Sequence, residues 1–321
     1  MERLGGGCSR DDDNCMYQAT IMMQRREQSE NPMSGGSAWL VMLAALLWGL
    51  SGGVAGLLMA EGWEPFVVSL YRGAIGLGCV AVWLLLRPGG SGLSNPRLWF
   101  WSAIAGIGVA GNFSFYFISI AEGSIAVAAT LMYCAPVFVY LVSFLLKLEQ
   151  PTPVKWMAMV LVMAGIALLT RIYDIDTSGV TPLAIGAGLL SGLSYTLFIF
   201  GFRYAAPHGS PQAILTVAFS VFTAILIWPA DAGQVAAVPN SPDLPLFAAL
   251  GMFGAGLSFF FYITGLRRTE PAVASVVAMI EPVTAALFGV AVLSETLGGL
   301  QLVGMALILL TVTWLSVPVL R

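Results

Sequence analysis

Two ionisable side chains stand inside long apolar runs of this sequence, Arg72 and Glu281. An arginine at the centre of a membrane helix costs about 2.5–3.5 kcal/mol on insertion scales unless it is paired or faces water. Such residues mark either a site or a lock. As a site, the planar guanidinium of Arg72 suits an anionic group such as a substrate carboxylate, and Glu281 suits a carried proton or a substrate amine. As a lock, the two would form a fixed ion pair, or bond backbone carbonyls and only hold helices together.

A polar and aromatic set occupies the same runs: Trp48, Ser51, Asn112, Tyr116, Tyr133, Tyr195 and Phe260. The rings would wall a cavity for an apolar group and Asn112 would hydrogen-bond a polar one, although aromatic side chains equally serve to pack helices or face lipid. Asn112, Tyr116 and Tyr133 rank first, being polar at mid or outer depth. Pro136 and Pro282 each remove a helical hydrogen bond and release the carbonyl four residues earlier, at Met132 and Ala278. Hinges and static kinks both fit, and the symmetric placement favours a shared role in bending.

The sequence offers little for catalysis. Its one histidine, His208, falls in an expected solvated loop, and no Gly-x-x-x-x-Gly-Lys-Ser/Thr phosphate loop is present. Cys8, Cys15, Cys79 and Cys134 show neither metal-ligand spacing nor a disulfide framework. The expectation is no enzyme, no cofactor and no metal. Arg72 is the only basic residue away from the ends of the apolar runs, Lys155 standing at the cytoplasmic start of its own, so substrates carrying several phosphates are disfavoured. A net charge of −3 without a basic footprint argues against nucleic acid as a partner.

Membrane helices must position these residues. The chain is 58% hydrophobic and 10% charged, against roughly 45–50% and 25% for a soluble domain. Ten stretches approach the ~20 apolar residues that cross a bilayer: Ala38–Ala60, Phe66–Leu86, Leu98–Ile120, Ile125–Leu146, Val154–Thr170, Pro182–Phe202, Pro211–Pro229, Leu244–Leu266, Ala272–Leu293 and Gly299–Val317. The runs are continuous rather than alternating, which disfavours a β-barrel. At ~1.5 Å per residue, Glu281 lies ~15 Å from either end of its run and Arg72 ~9 Å from the outer end of its own, so side-chain reach brings them to a common depth. Gly52/Gly56 and Gly188/Gly192 have the small-xxx-small spacing that lets helices approach closely.

Basic residues of short loops stay on the cytoplasmic side. With the N-terminus inside, that side holds Arg3, Arg10, Arg25, Arg26, Arg87, Arg97, Lys147, Lys155, Arg203, Arg267, Arg268 and Arg321, and the outer loops hold only Arg171. Both termini are therefore expected in the cytoplasm. Residues 1–37 carry ten of the charged residues and read as a polar, disordered tail. Met33 is an alternative start within that tail.

The two halves of the body repeat each other. Trp48-Gly49-Leu50-Ser51 matches Ser191-Gly192-Leu193-Ser194, and Ser114-Phe115-Tyr116-Phe117 matches Ser258-Phe259-Phe260-Phe261. Glu64-Pro65, Ala126-Val127-Ala128, Pro136 and Glu149 recur at one offset as Ser210-Pro211, Ala272-Val273-Ala274, Pro282 and Glu295. Five spans per unit is odd, so the second unit enters the membrane upside down, an architecture of secondary transporters. By the same offset Arg72 corresponds to Ala218 and Glu281 to Ala135. The halves share backbone features but not their charges, as an asymmetric site for a polar substrate requires.

On Trp48-Gly49, Leu70-Tyr71-Arg72-Gly73, Ala126–Glu149 with Pro136, and Ala272–Glu295 with Glu281-Pro282, the chain resembles the EamA family of the drug/metabolite transporter superfamily. The resemblance implies an all-α integral membrane protein of ten helices in two inverted repeats, here 38–171 and 182–317. It also implies multi-pass insertion in a bacterial inner membrane and secondary transport, most often export of amino acids or related small metabolites. Partners would then be a small-molecule substrate, the lipid bilayer and, if transport is proton-linked, protons. The alternatives are efflux of cationic drugs, which a carboxylate among aromatics suits, and a non-transporting multi-pass enzyme or scaffold.

Overall fold

The computed structural model of the protein describes residues 35–148, 150–174, 180–294 and 296–316. The expected tail, apart from its last residues, and the paired Glu149 and Glu295 lie outside the described residues, as does the end of the last expected span.

The helices begin where the sequence supplies capping chemistry. Proline opens α2 (Pro65–Leu86), α3 (Pro96–Ala121), α6 (Pro153–Leu169), α7 (Pro182–Ala205), α8 (Pro211–Leu226) and α12 (Pro271–Ala278). Its missing N–H falls on a donor that has no helical partner, and its φ is already helical. Asn95, Thr152, Thr181 and Ser210 accept N-cap hydrogen bonds ahead of α3, α6, α7 and α8. The other helices are α1 (Gly35–Ala60), α4 (Ile125–Met132), α5 (Ala135–Leu145), the short α9 (Ala232–Ala237), α10 (Leu244–Gly251), α11 (Ser258–Leu266), α13 (Ile280–Val292) and α14 (Gly299–Ser316).

Among the described residues, seven helical segments are long and apolar enough to cross a membrane, with α4–α5, α10–α11 and α12–α13 each counted as one. Three shorter apolar helices, α6, α8 and α14, accompany them. No strand occurs among the described residues.

Three segments are interrupted. Tyr133-Cys134 separates α4 from α5, and Met279 separates α12 from α13, at positions related by the repeat offset. Pro136 and Pro282 follow within the first turn of the resumed helix, where a missing N–H disrupts nothing further. The third interruption, with no proline, is a π-helical turn at Met252–Leu257 between α10 and α11.

Packing respects the repeat. α1 packs on α11 and α13, while its counterpart α7 packs on α3, α4 and α5; α2 meets α8, and α6 meets α14. These are the pairs that a two-fold exchange of the halves would interconvert. Small residues set the close approaches: a Cβ on Gly108 of α3 would lie 2.6 Å from the Phe198 nitrogen of α7, and one on Gly304 of α14 would lie 2.6 Å from the Gly165 carbonyl of α6. The expected Gly188 and Gly192 contacts exist, against Leu131 and Met132 of α4. The Gly52/Gly56 expectation is corrected, because a Cβ on either residue meets nothing within 4 Å. The contact pair on α1 is Gly49/Gly53, three residues earlier and so about 60° around the helix axis, which lies against Glu281, Thr284 and Phe288 of α13.

Candidate functional site

A cavity of about 260 Å³ opens between α1, α2, α3, α4, α7, α11 and α13. That is slightly below the ~300–1,000 Å³ typical of sites for drug-sized ligands, a scale that suits a small metabolite. Its walls include Trp48, Arg72, Asn112, Tyr116, Tyr133, Tyr195 and Glu281. These seven residues come from both halves of the chain and from six different segments. The short helices α6, α8 and α14 contribute no lining residue.

The cavity occupies one half of the bundle. It runs from Trp48, Phe198 and Phe259 at mid-depth to Met59 and Pro65, which flank the turn between α1 and α2. Beyond its floor the bundle is shut by rings: Trp48 lies 4.9 Å from both Phe259 and Tyr262, and Phe198 meets Tyr195 in a tilted pair at 4.4 Å. At that far end the loops are pinned together. Ser210 N donates to the Ser91 carbonyl at 3.1 Å, Arg267 Nη2 to the Gly209 carbonyl at 2.5 Å, and Lys155 pairs with Glu270 at 2.7 Å. His208, expected in a solvated loop, is half-buried there with Nδ1 3.4 Å from Asn95 Nδ2.

Arg72 is buttressed by backbone. Its Nε and Nη2 donate to the Gly254 carbonyl at 3.1 and 2.8 Å, and its guanidinium carbon lies 5.2 Å from the centre of the Phe113 ring. Gly254 sits in the π-helical turn, and a Cβ there would lie 2.5 Å from Ser51 Cβ and 3.4 Å from Arg72 Nε. The close approach of Ser51 is what leaves no room for a Cβ on Gly254. One edge of the guanidinium, Nε with Nη2, is spent on backbone.

Glu281 lies in the first turn of α13, just past the break at Met279. The N-terminal end of a helix carries partial positive charge that favours a carboxylate. Tyr116, Tyr133 and Tyr195 gather around it. Glu281 and Arg72 share the cavity wall without an ion pair within 4.0 Å, so of the two locks considered from sequence, the carbonyl bond exists and the fixed pair does not.

Asn112 is tied across the halves: Nδ2 donates to the Ser191 carbonyl at 3.2 Å and to Ser191 Oγ at 3.1 Å, while Ser191 Oγ donates to the Asn112 carbonyl at 2.9 Å. The Ser191 carbonyl only accepts, so the amide nitrogen of Asn112 must face it. Trp48 Nε1 and the Tyr195 and Tyr262 hydroxyls are buried with no hydrogen-bond partner among the described residues. Ser51 turns back to bond the Trp48 carbonyl at 2.8 Å.

Sequence reasoning chose the wrong phenylalanine on α11. Phe260 faces a separate apolar groove with Cys79 and Trp83, and Phe259 lines the cavity instead. The π-helical turn just before α11 inserts one extra residue and rotates everything after it by about one residue. Gly254 and Phe113 were not legible as partners of Arg72, because neither carries a charge or motif that marks it.

Relatives agree with this architecture. A transporter of Bacillus subtilis, YwfM, described as uncharacterized, is 27% identical over 278 residues, covering 84% of this chain and 90% of its own. The threonine/homoserine exporter RhtA of Salmonella typhimurium is 27% identical over 217 residues, covering 67% of this chain and 68% of its own. A solved crystal structure superposes with a TM-score of 0.69 over 87% of this chain and 96% of its own, at 19% identity, a likeness of fold. Residues 36–171 and 182–317 each match the EamA-like transporter family. With the whole helical body so matched, the chain belongs to the EamA-like transporter family and is a multi-pass membrane transporter.

Proposed function

We propose that the protein is a secondary transporter exporting amino acids or closely related small metabolites across the bacterial inner membrane by alternating access. The observation that carries the reading is the meeting of Arg72, from one repeat, and Glu281, from the other, on one cavity wall without pairing to each other. A guanidinium takes a carboxylate, and a carboxylate ringed by tyrosines takes an ammonium or a proton. A zwitterion satisfies both poles at once. The Salmonella relative is named as an exporter of threonine and homoserine, which supports that substrate class.

In this reading α6, α8 and α14 complete ten spans in two inverted repeats, with both termini cytoplasmic according to the basic loops. The cavity then faces outward and the ring floor closes the cytoplasmic side. Glu281 couples transport to protons. The test is flux of labelled amino acids from proteoliposomes containing the purified protein. Protein-dependent flux of at least one member is expected, and none across a broad panel overturns the substrate class. Efflux of organic cations is the second reading, favoured by Trp48, Tyr116, Tyr133 and Tyr195 sharing the cavity with Glu281. Competition by such cations, with no effect of amino acids, would select it.

A further inference from the structure

We propose that Gly52 is a specificity-determining position, which fixes how large a substrate side chain the cavity admits. The inference rests on the transport reading above. Trp48, Gly52, Ala55 and Met59 line the cavity, and their spacing of four, three and four residues places them on one face of α1. Along that face the order is large, small, small, large: an aromatic floor, an open middle and a methionine at the mouth.

The glycines of α1 fall into two kinds. Gly49 and Gly53 are glycine because α13 lies against them, a Cβ at Gly49 falling 2.5 Å from the Glu281 carbonyl and one at Gly53 falling 2.2 Å from the Phe288 ring. At Gly52 a Cβ would meet nothing within 4 Å, and its backbone φ is not in the left-handed region. Glycine within a helix is disfavoured relative to alanine, so neither packing nor backbone geometry accounts for it here. What the missing side chain leaves is cavity space. The charged poles of a substrate are occupied by Arg72 and Glu281, so the group that fills the space beside Gly52, Ala55 and Ala285 is its side chain.

The test compares the wild type with Gly52→Ala, Gly52→Val and Gly52→Leu in proteoliposomes, using labelled alanine, threonine, leucine, phenylalanine and tryptophan. The largest amino acid that the wild type carries should lose flux stepwise, by about tenfold or more relative to the smallest one carried once Leu is present. Gly56→Leu, which also adds a side chain into open space but lies off the cavity wall, should keep the wild-type profile. An unchanged profile in Gly52→Leu, or parallel loss of every substrate already in Gly52→Ala, overturns the assignment while leaving transport intact as a reading. Absence of flux in the wild type is read before any variant, and it overturns the transport reading and this inference with it.

Discussion

The Arg72 guanidinium reaches across from α2 to grip the carbonyl of Gly254 through Nε and Nη2, at 3.1 and 2.8 Å. A residue from the first repeat is thus oriented by a π-helical turn in the second. The grip fixes the plane of the fork at the cavity wall and spares the cation an unpartnered position in the membrane. It makes the geometry of Arg72, and not only its charge, a property that can be tested.

Arg72→Lys retains a positive charge but not the planar fork. Carboxylate-bearing substrates should show a KM raised on the order of tenfold, and Arg72→Gln should lose transport more completely. Gly254→Ala places a methyl 2.5 Å from Ser51 Cβ and should lower stability by about 1–3 kcal/mol. Counterflow assays and thermal unfolding in detergent check the two effects separately.

Glu281→Gln keeps the shape of the side chain and removes its proton exchange. Stimulation of flux by an imposed pH gradient should disappear, while the protein remains folded because the first turn of α13 tolerates a neutral residue. Wild-type rates with an unchanged pH dependence would remove Glu281 from any proton path.

Asn112→Ala deletes two hydrogen bonds to Ser191 while leaving the bond from Ser191 Oγ to the Asn112 carbonyl. Loss of buried bonds of this kind should cost about 1–3 kcal/mol. Melting of the purified protein measures it, and Ser191→Ala in the Asn112→Ala background should then cost less than it does alone.

Gly108→Val is expected to prevent folding, since the new side chain would start 2.6 Å from a backbone nitrogen and 2.9 Å from a carbonyl oxygen of α7. Backbone within a helix cannot move aside as a side-chain tip can. Gly186→Ala, with nothing within 4 Å, should fold normally. The yield of monodisperse protein distinguishes the pair.

Much of the architecture was readable locally. A serine, threonine or asparagine followed by proline announces the starts of α3, α6, α7 and α8, because cap and N1 chemistry act within one turn. The breaks before Pro136 and Pro282 were readable for the same reason. Phe259 was missed in favour of Phe260 because a π-helical turn has no sequence mark as plain as a proline, yet it rotates every residue after it. Gly52 and Gly56 were expected at a helix contact because spacing tells which residues share a face, and not which face meets a neighbour.

By itself the sequence determined that this chain is helical, apolar and built of two related halves, with one unshared charge in each. Those properties reside in residue type and order, and they act over a turn or a span. The tertiary structure alone decided that Arg72 answers to Gly254 rather than to Glu281, that Asn112 holds Ser191, and that Gly52 faces open space while Gly49 faces α13. Such pairings depend on how each helix is rotated about its axis, which close packing of all the helices sets together.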